Sequence, residues 1–374
     1  MNLQSLKNKY GLITNSAKDV SINSTKFIYA PLFKVGSENG ELNNVFFSYL
    51  LEILTSHGLK LNIWKKRPLP NKTFPRAHVS MWAEIDDELI FFDKSDHIQE
   101  IDLNALAICS KYFKDNYNSV EISRVLKYHS CDSYFEKIKP FFPMANIGFF
   151  KRKFLDNLHK NIDLIQIMGL YTIPENFQRI EYRNNSPTGY DHGFIRYELY
   201  KVIKNYSGDL KFLCNLSTKD GSKSKLIDSK FIPKNRYYHL LKKSKFGIVN
   251  TIPHRILPWK FTEMISLGCI PVLDQKPLTQ HPDIFSMKPD FHYIEIFPKI
   301  SFFDKSLDSH PYALNSYRSL INDYSLSKIG SLFDKFINKI EKPEFISHIQ
   351  ENVLSFRDNV IYNKKLIFDY IINS

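Results

Sequence analysis

Hydrophobic positions along the chain fall into short runs separated by polar, turn-forming stretches, and their spacing changes from run to run. Lys26–Pro31, KFIYAP, has the length of a strand and ends at a turn signal. After the loop Gly36-Ser37-Glu38-Asn39-Gly40, a helix is expected over Glu41–His57. Within it Val45, Tyr49, Leu50 and Leu54 recur at helical spacing, with Gly58 as the stop. Leu61–Lys65, LNIWK, predicts the next strand. Strand, loop, helix and strand in that order make a βαβ unit, which implies parallel strands. The Pro-rich stretch RPLPNKTFP then leads to Ala77–Phe92, two apolar strands around Asp86-Asp87-Glu88. Helices are expected to dominate from Asn104 to Tyr134.

A boundary is expected near Pro140–Lys153, where PFFPMANIGFFKRK combines prolines with a basic cluster. Beyond it the alternation restarts. Strands are predicted at Asp163–Leu170, Asp209–Asn215, Phe246–Asn250 and Cys269–Leu273, and helices at Phe194–Ile203, Tyr237–Lys243 and Pro258–Leu267. Two successive β/α halves predict an α/β enzyme of two Rossmann-like domains facing across a cleft. The expected division is 1–150 for a first Rossmann-like domain and 151–345 for a second. A helical segment, 346–374, would follow and pack back on the first domain.

Ser244–Asp274 carries the most chemical information. An apolar strand, FGIV, delivers the loop NTIPHRIL, and a helix begins with Pro258 at a first-turn position, where a missing N–H is harmless. Phe261, Met264 and Ile265 give that helix a buried face, Gly268 occupies a C′ position, and CIPVL resumes the sheet. A helix N-terminus at the carboxyl end of a parallel sheet favours anions. Here it is flanked by Asn250, His254, Arg255 and Lys260, a set suited to the phosphates of a nucleotide.

This stretch resembles the donor-binding half of glycosyltransferases of the GT-B architecture, and exostosin-like members in particular. The resemblance rests on a basic residue, a helical glutamate and a G-C-I-P-V turn in that order, here Lys260, Glu263 and Gly268-Cys269-Ile270-Pro271-Val272. It covers about thirty residues. It implies that the helix start holds a diphosphate and that Glu263 contacts ribose or sugar hydroxyls. Arg196, which opens the earlier helix, resembles the arginine that such enzymes set against phosphates. Retaining enzymes of this architecture often carry two glutamates separated by seven residues. Counting back from Glu263 reaches Arg255 instead, which favours inversion and so requires a base for the acceptor hydroxyl. Asp93, Asp96 and His97 follow an apolar strand directly and are candidates for that base, with Glu38 in the Gly36–Gly40 loop as a competing location.

Absent motifs narrow the chemistry. The sequence holds no Asp-x-Asp, P-loop, HExxH or GxSxG. The expectation is a metal-independent glycosyltransferase without a cofactor, acting on a nucleotide-diphosphate sugar and a glycan or lipid-linked acceptor in bacterial-type surface polysaccharide synthesis. Alternatives on the same fold are an alditol-phosphate transferase or a sugar-nucleotide epimerase. A nucleic-acid-binding protein is a more distant alternative, because no RNP-type or zinc-finger pattern occurs. Four scattered cysteines, no signal-like apolar run and no long apolar span place the chain in the cytoplasm, with the inner face of the membrane as an additional location.

Charge sharpens this picture. The net charge is +12, and the window 201–260 holds 14 Lys+Arg against Asp209, Asp220 and Asp228. The excess therefore runs up to the proposed diphosphate site. Lys242, Lys243 and Lys245 are placed to touch anionic lipid or an acidic acceptor.

Overall fold

A computed structural model of the 374-residue chain describes residues 27–30, 49–63, 80–85, 88–95, 98–142, 159–170, 174, 179–180, 189–190, 192–218, 223–227, 230–251, 256–274, 276–296 and 328–374. The chain divides into two compact α/β units. One comprises residues 1–151, 279–286 and 358–374, and the other residues 152–278 and 287–357. The helical segment 346–374 is thus split, with its part beyond Arg357 grouped in the first unit. Among the described residues no helix is long and apolar enough to cross a membrane.

The first unit is built on a six-stranded sheet. Its strands are β1 (Phe27–Ala30), β2 (Lys60–Ile63), β3 (Ser80–Ile85), β4 (Glu88–Asp93), β5 (Lys111–Lys114) and β6 (Ile138–Pro140), in the order β2-β1-β3-β4-β5-β6. A helix over residues 49–56, α1, joins β1 to its parallel neighbour β2, as the βαβ pattern requires. β3 departs from an all-parallel Rossmann arrangement. It runs antiparallel to both β1 and β4, because a two-residue connection to β4 allows only a hairpin.

A second difference lies between α2 (Leu103–Ile108) and α3 (Ser119–Tyr128). Helices were expected to dominate from Asn104 to Tyr134, yet KYFK forms β5, parallel to β4. Lysines at both ends hid it from a periodicity argument. β6 closes the edge, where Pro140 removes no ladder bond that the sheet needs. Side-chain alternation explains the paired aromatics. Phe91 packs with Trp82 and Tyr112 against α2 and α3, whereas Phe92 and Phe113 face the other way and meet Phe141. Tyr370 from the C-terminal helix seals that second face, with its ring against Phe113 and its hydroxyl donating to the Pro140 carbonyl at 2.7 Å.

The second unit holds a five-stranded, all-parallel sheet of β7 (Ile162–Leu170), β10 (Phe212–Thr218), β11 (Ser244–Val249), β12 (Ile270–Leu273) and β13 (Ile294–Glu295). Its order is β10-β7-β11-β12-β13. Counted within the unit, that is 2-1-3-4-5, a doubly wound order. The short β8 (Arg179–Ile180) and β9 (Gly189–Tyr190) pair separately. The crossover helices are α4 (His192–Lys204), α5 (Lys234–Lys242) and α6 (Trp259–Ser266). α7 (Ile329–Ile340) and α8 (Pro343–Phe356) complete the unit, and α9 (Lys364–Asn373) is the helix that carries Tyr370 in the first. β10 begins three residues later than its expected start at Asp209. Its approach is fixed by the Lys211 N–H donating to Asp163 Oδ2 at 2.8 Å.

Gly268 ends α6 as expected. Its φ of 66° is left-handed, its N–H donates to the Ile265 carbonyl at 2.9 Å, and the Cys269 N–H reaches Met264 at 2.9 Å. These two bonds form a Schellman motif. Pro258 is displaced by one position from expectation. It is the extended N-cap residue of α6, with φ −74° and ψ 154°, rather than part of the first turn.

Candidate functional site

In a doubly wound sheet the chain leaves its first strand in opposite directions, and ligands bind outside the carboxyl ends where the order reverses. In the second unit that point lies between β7 and β11. The strand ends there carry a continuous polar network. Arg196, from the first turns of α4, donates through Nη1 to the carbonyl of Gly169 at the end of β7. Its Nε donates to Asn250 Oδ1, just past β11, at 2.7 Å. Asn250 Nδ2 donates in turn to Asp274 Oδ2, just past β12. Thr251 adds its N–H at 2.7 Å and its hydroxyl at 2.8 Å, both to Asp274 Oδ1. Three strand ends and one helix are thereby locked together.

Asp274 is the deepest member of this network. Burial raises its pKa, while the Thr251 and Asn250 donors and the Arg196 guanidinium pull the other way. No role was assigned to it from sequence, where it is only the last residue of the CIPVLD run. Its signal was positional, as a carboxylate directly after a parallel strand. Arg196 and Asn250 were both expected at the donor site, and the structure brings them into direct contact.

The chain leaves β11 at its carboxyl end and crosses back through α6, so the start of α6 lies on this same edge of the sheet. No side chain caps that helix start. Lys260, in the first turn, donates from Nζ to the Ile167 carbonyl at 3.3 Å and lies 5.7 Å from the Tyr237 ring centroid. Glu263, one turn on, was expected to contact sugar hydroxyls. It is only 1% exposed, and its Oε1 accepts from the Tyr238 hydroxyl. Burial and that carboxylate together raise the Tyr238 pKa far above the ordinary phenol range. In this arrangement Glu263 braces α6 against α5. His254 and Arg255 lie outside the described residues.

The corresponding edge of the first unit holds Asp93, at the end of β4. Its Oδ1 accepts the Ser95 N–H at 2.7 Å, and its Oδ2 accepts the Tyr112 hydroxyl at 2.6 Å and the Lys114 ammonium at 3.1 Å. Lys114 is fully buried and also donates to Ser95 Oγ, while Asn116 Nδ2 holds the Ser95 carbonyl at 2.8 Å. Desolvation and the adjacent carboxylate push the Tyr112 phenol well above its usual range. A general base needs a lone pair that can reach substrate. Asp93 is buried and three donors within the unit already use its two oxygens, which ranks it behind Asp96 as the candidate base. Asp96, His97 and Glu38 lie outside the described residues. Among the described residues no group of three or more His, Cys, Asp or Glu side chains is placed to hold a metal ion.

No family model matches the chain, and no curated protein does. Among solved structures it is similar to one titled "Crystal Structure of alpha1,3-Fucosyltransferase", at 12% identity and a TM-score of 0.35, covering 89% of this chain and 95% of that one. The two-domain, Rossmann-like α/β assignment stands on the sheets themselves.

Proposed function

We propose that the chain is a GT-B type glycosyltransferase that moves a sugar from a nucleotide-diphosphate donor to a glycan or lipid-linked glycan acceptor, with inversion and without a catalytic metal. The observation that carries this reading is the Arg196–Asn250–Asp274 network at the switch point, beside the uncapped start of α6 with Lys260 in its first turn. A developing diphosphate charge is best met by fixed donors that need no reorganisation. Arg196 is such a donor, because Gly169 and Asn250 hold its fork. Lys260 supplies further positive charge at a helix start whose dipole has the same sign, and His254 and Arg255 precede that start in sequence. The exostosin-like likeness remains confined to Lys260, Glu263 and Gly268–Val272. Glu263 enters the proposal as a positioning residue that holds α6 rather than as a ligand contact. The acceptor base is assigned to Asp96, in the segment that follows β4, with His97 and Glu38 as competitors.

Calorimetry with UDP, GDP, CDP and dTDP sugars tests the donor site. One of them should bind the parent chain, and Lys260→Ala should weaken that binding. Failure of all four to bind removes the reading. Asp96→Asn should keep donor affinity and abolish turnover, and an Asp96→Asn enzyme with parental turnover excludes that base. Turnover that persists in excess EDTA is the expected result for metal independence.

A further inference from the structure

The second unit carries a surface that the donor site does not use. Lys223–Arg236, between β10 and the first turn of α5, contains Lys223, Lys225, Lys230, Lys234 and Arg236 against a single carboxylate, Asp228. Ile227 is 7% exposed and pins the stretch to the unit, yet its neighbour Leu226 is 48% exposed and Phe231 is 75% exposed. Lys223, Lys225, Lys230 and Arg236 are exposed around them. Pro233 enters α5 in an extended conformation, φ −58° and ψ 149°, so a stiff connection presents Phe231 two residues earlier. Isolated apolar side chains on a surface are ordinary. An open phenylalanine and leucine interleaved with four exposed cations form an amphiphilic pattern that matches a bilayer interface.

We propose that Lys223–Ile227 and Lys230–Arg236 form a peripheral membrane-docking surface, which lays Leu226 and Phe231 into the interface of an anionic bilayer and sets Lys223, Lys225, Lys230 and Arg236 on lipid phosphates. Charge complementarity selects the occupant, since the cations continue along α5 into Lys242 and Lys243. Lys245 belongs to this group less, because its Nζ is 2.7 Å from Asp163 Oδ1. A single-stranded nucleic acid fits poorly. Such ligands stack successive bases on aromatic faces, and Leu226 offers none. The docking surface deepens the lipid-linked acceptor reading, since it would hold the enzyme where such an acceptor resides. Vesicle binding is nonetheless measured with no donor present, so a failed donor titration leaves it standing.

The test is co-sedimentation of the full chain with vesicles of phosphatidylcholine alone and of an equimolar phosphatidylglycerol–phosphatidylcholine mixture. Binding is expected only to the mixed vesicles and should fall steeply with salt. Each cation removed by Lys223→Ser, Lys225→Ser or Lys230→Ser should weaken binding on the order of fivefold. Phe231→Ser should weaken it about tenfold, and Phe231→Trp should show blue-shifted emission on mixed vesicles. Equal binding to both vesicle types, parental affinity in Phe231→Ser, or retention on single-stranded RNA without a Phe231→Trp shift on vesicles would each overturn the proposal.

Discussion

Both units place a buried carboxylate at the carboxyl edge of their sheets, and the two are used in opposite ways. In the first unit Asp93 is enclosed by Tyr112, Lys114 and Ser95, all from its own strand end or the neighbouring one. In the second, Asp274 is the root of a chain that runs outward through Asn250 to Arg196, across the point where the strand order reverses. A network that closes on itself fixes geometry. One that ends in a braced guanidinium at a switch point presents a charge with little left to reorganise. On the proposed reading, the difference between the two clusters lies in where the last donor points, since both are equally rich in charge.

The largest effect should come from breaking the closed network. Lys114→Met removes the ammonium paired with buried Asp93 and should destabilise the first unit by about 3 kcal/mol, read from the denaturation midpoint. Donor affinity should be unchanged. If Lys114→Met is tolerated without loss, Asp93 is not committed to a structural role, and it returns as a candidate base.

Opening the second network should show the reverse balance. Arg196→Ala should weaken donor binding about thirtyfold, in keeping with about 2 kcal/mol for a hydrogen bond to a charged group, with a smaller loss of stability. Asp274→Ala strips the Thr251 N–H and the Asn250 amide of their acceptor and should destabilise by about 2 kcal/mol. Donor affinity should fall with it, because Asn250 no longer orients Arg196. An Asp274→Ala chain with parental donor affinity would break the proposed relay.

Acid should separate the units as well. His281, in the first unit, has its pKa lowered from 6.5 to about 4 by burial, and its ring is packed edge-on against Phe142 at 5.2 Å. Between those values the unfolded chain binds a proton that the folded one refuses, so stability falls as pH drops from 6.5 toward 4. Full burial would make this about 3 kcal/mol, and solvent at the half-buried ring trims it to about 2. In the second unit His292 is likewise lowered to about 4 by burial. Asp274 opposes it there. A carboxyl raised above its unfolded value contributes stability that is present at low pH and lost as pH rises through the raised value. Hydrogen exchange followed from pH 7 to about pH 4.5 should show the first unit opening ahead of the second, and His281→Phe should remove the difference.

Much of the architecture was legible from residue spacing. The βαβ start, the hairpin at β3 and β4 and the parallel second sheet all carry their own punctuation, in Gly58, the acidic turn and Gly268. β5 was illegible because Lys111 and Lys114 read as solvent-facing, although Lys114 is buried against Asp93 from β4. That pairing is a tertiary fact, and no local window contains it. Arg196 could be found because it opens a helix and resembles the arginine that GT-B enzymes set against phosphates, and Asn250 because it ends a strand just before the loop that leads to α6. Asp274 escaped because the partners that define it, Asn250 and Thr251, lie more than twenty residues away. The bond from Tyr238 to Glu263 was illegible for a related reason, since a motif likeness says nothing of a partner twenty-five residues away.

The smallest effect asked of the comparison concerns the two glycines of Ser244–Asp274. At Gly247, in β11, an added Cβ would stand 2.7 Å from Met264 Sδ and 3.1 Å from Cys269 Sγ, so Gly247→Ala overpacks the sheet against α6 and should cost about 2 kcal/mol. Gly268 is different. Its nearest neighbour to an added Cβ is Leu354 Cδ2 at 3.4 Å, which is ordinary contact, and only its left-handed φ of 66° resists a side chain. Gly268→Ala should therefore cost about 1 kcal/mol, the least of the series. Its carbonyl also holds Lys160 Nζ at 2.7 Å and Gln350 Nε2 at 3.1 Å, on the side of the sheet where α6 ends rather than where it begins. The GCIPV turn is thus an architectural joint between α6, β12 and α8, and Gly268→Ala should leave donor affinity unchanged. A drop in affinity without a larger loss of stability would move that turn from the frame of the second unit into its site.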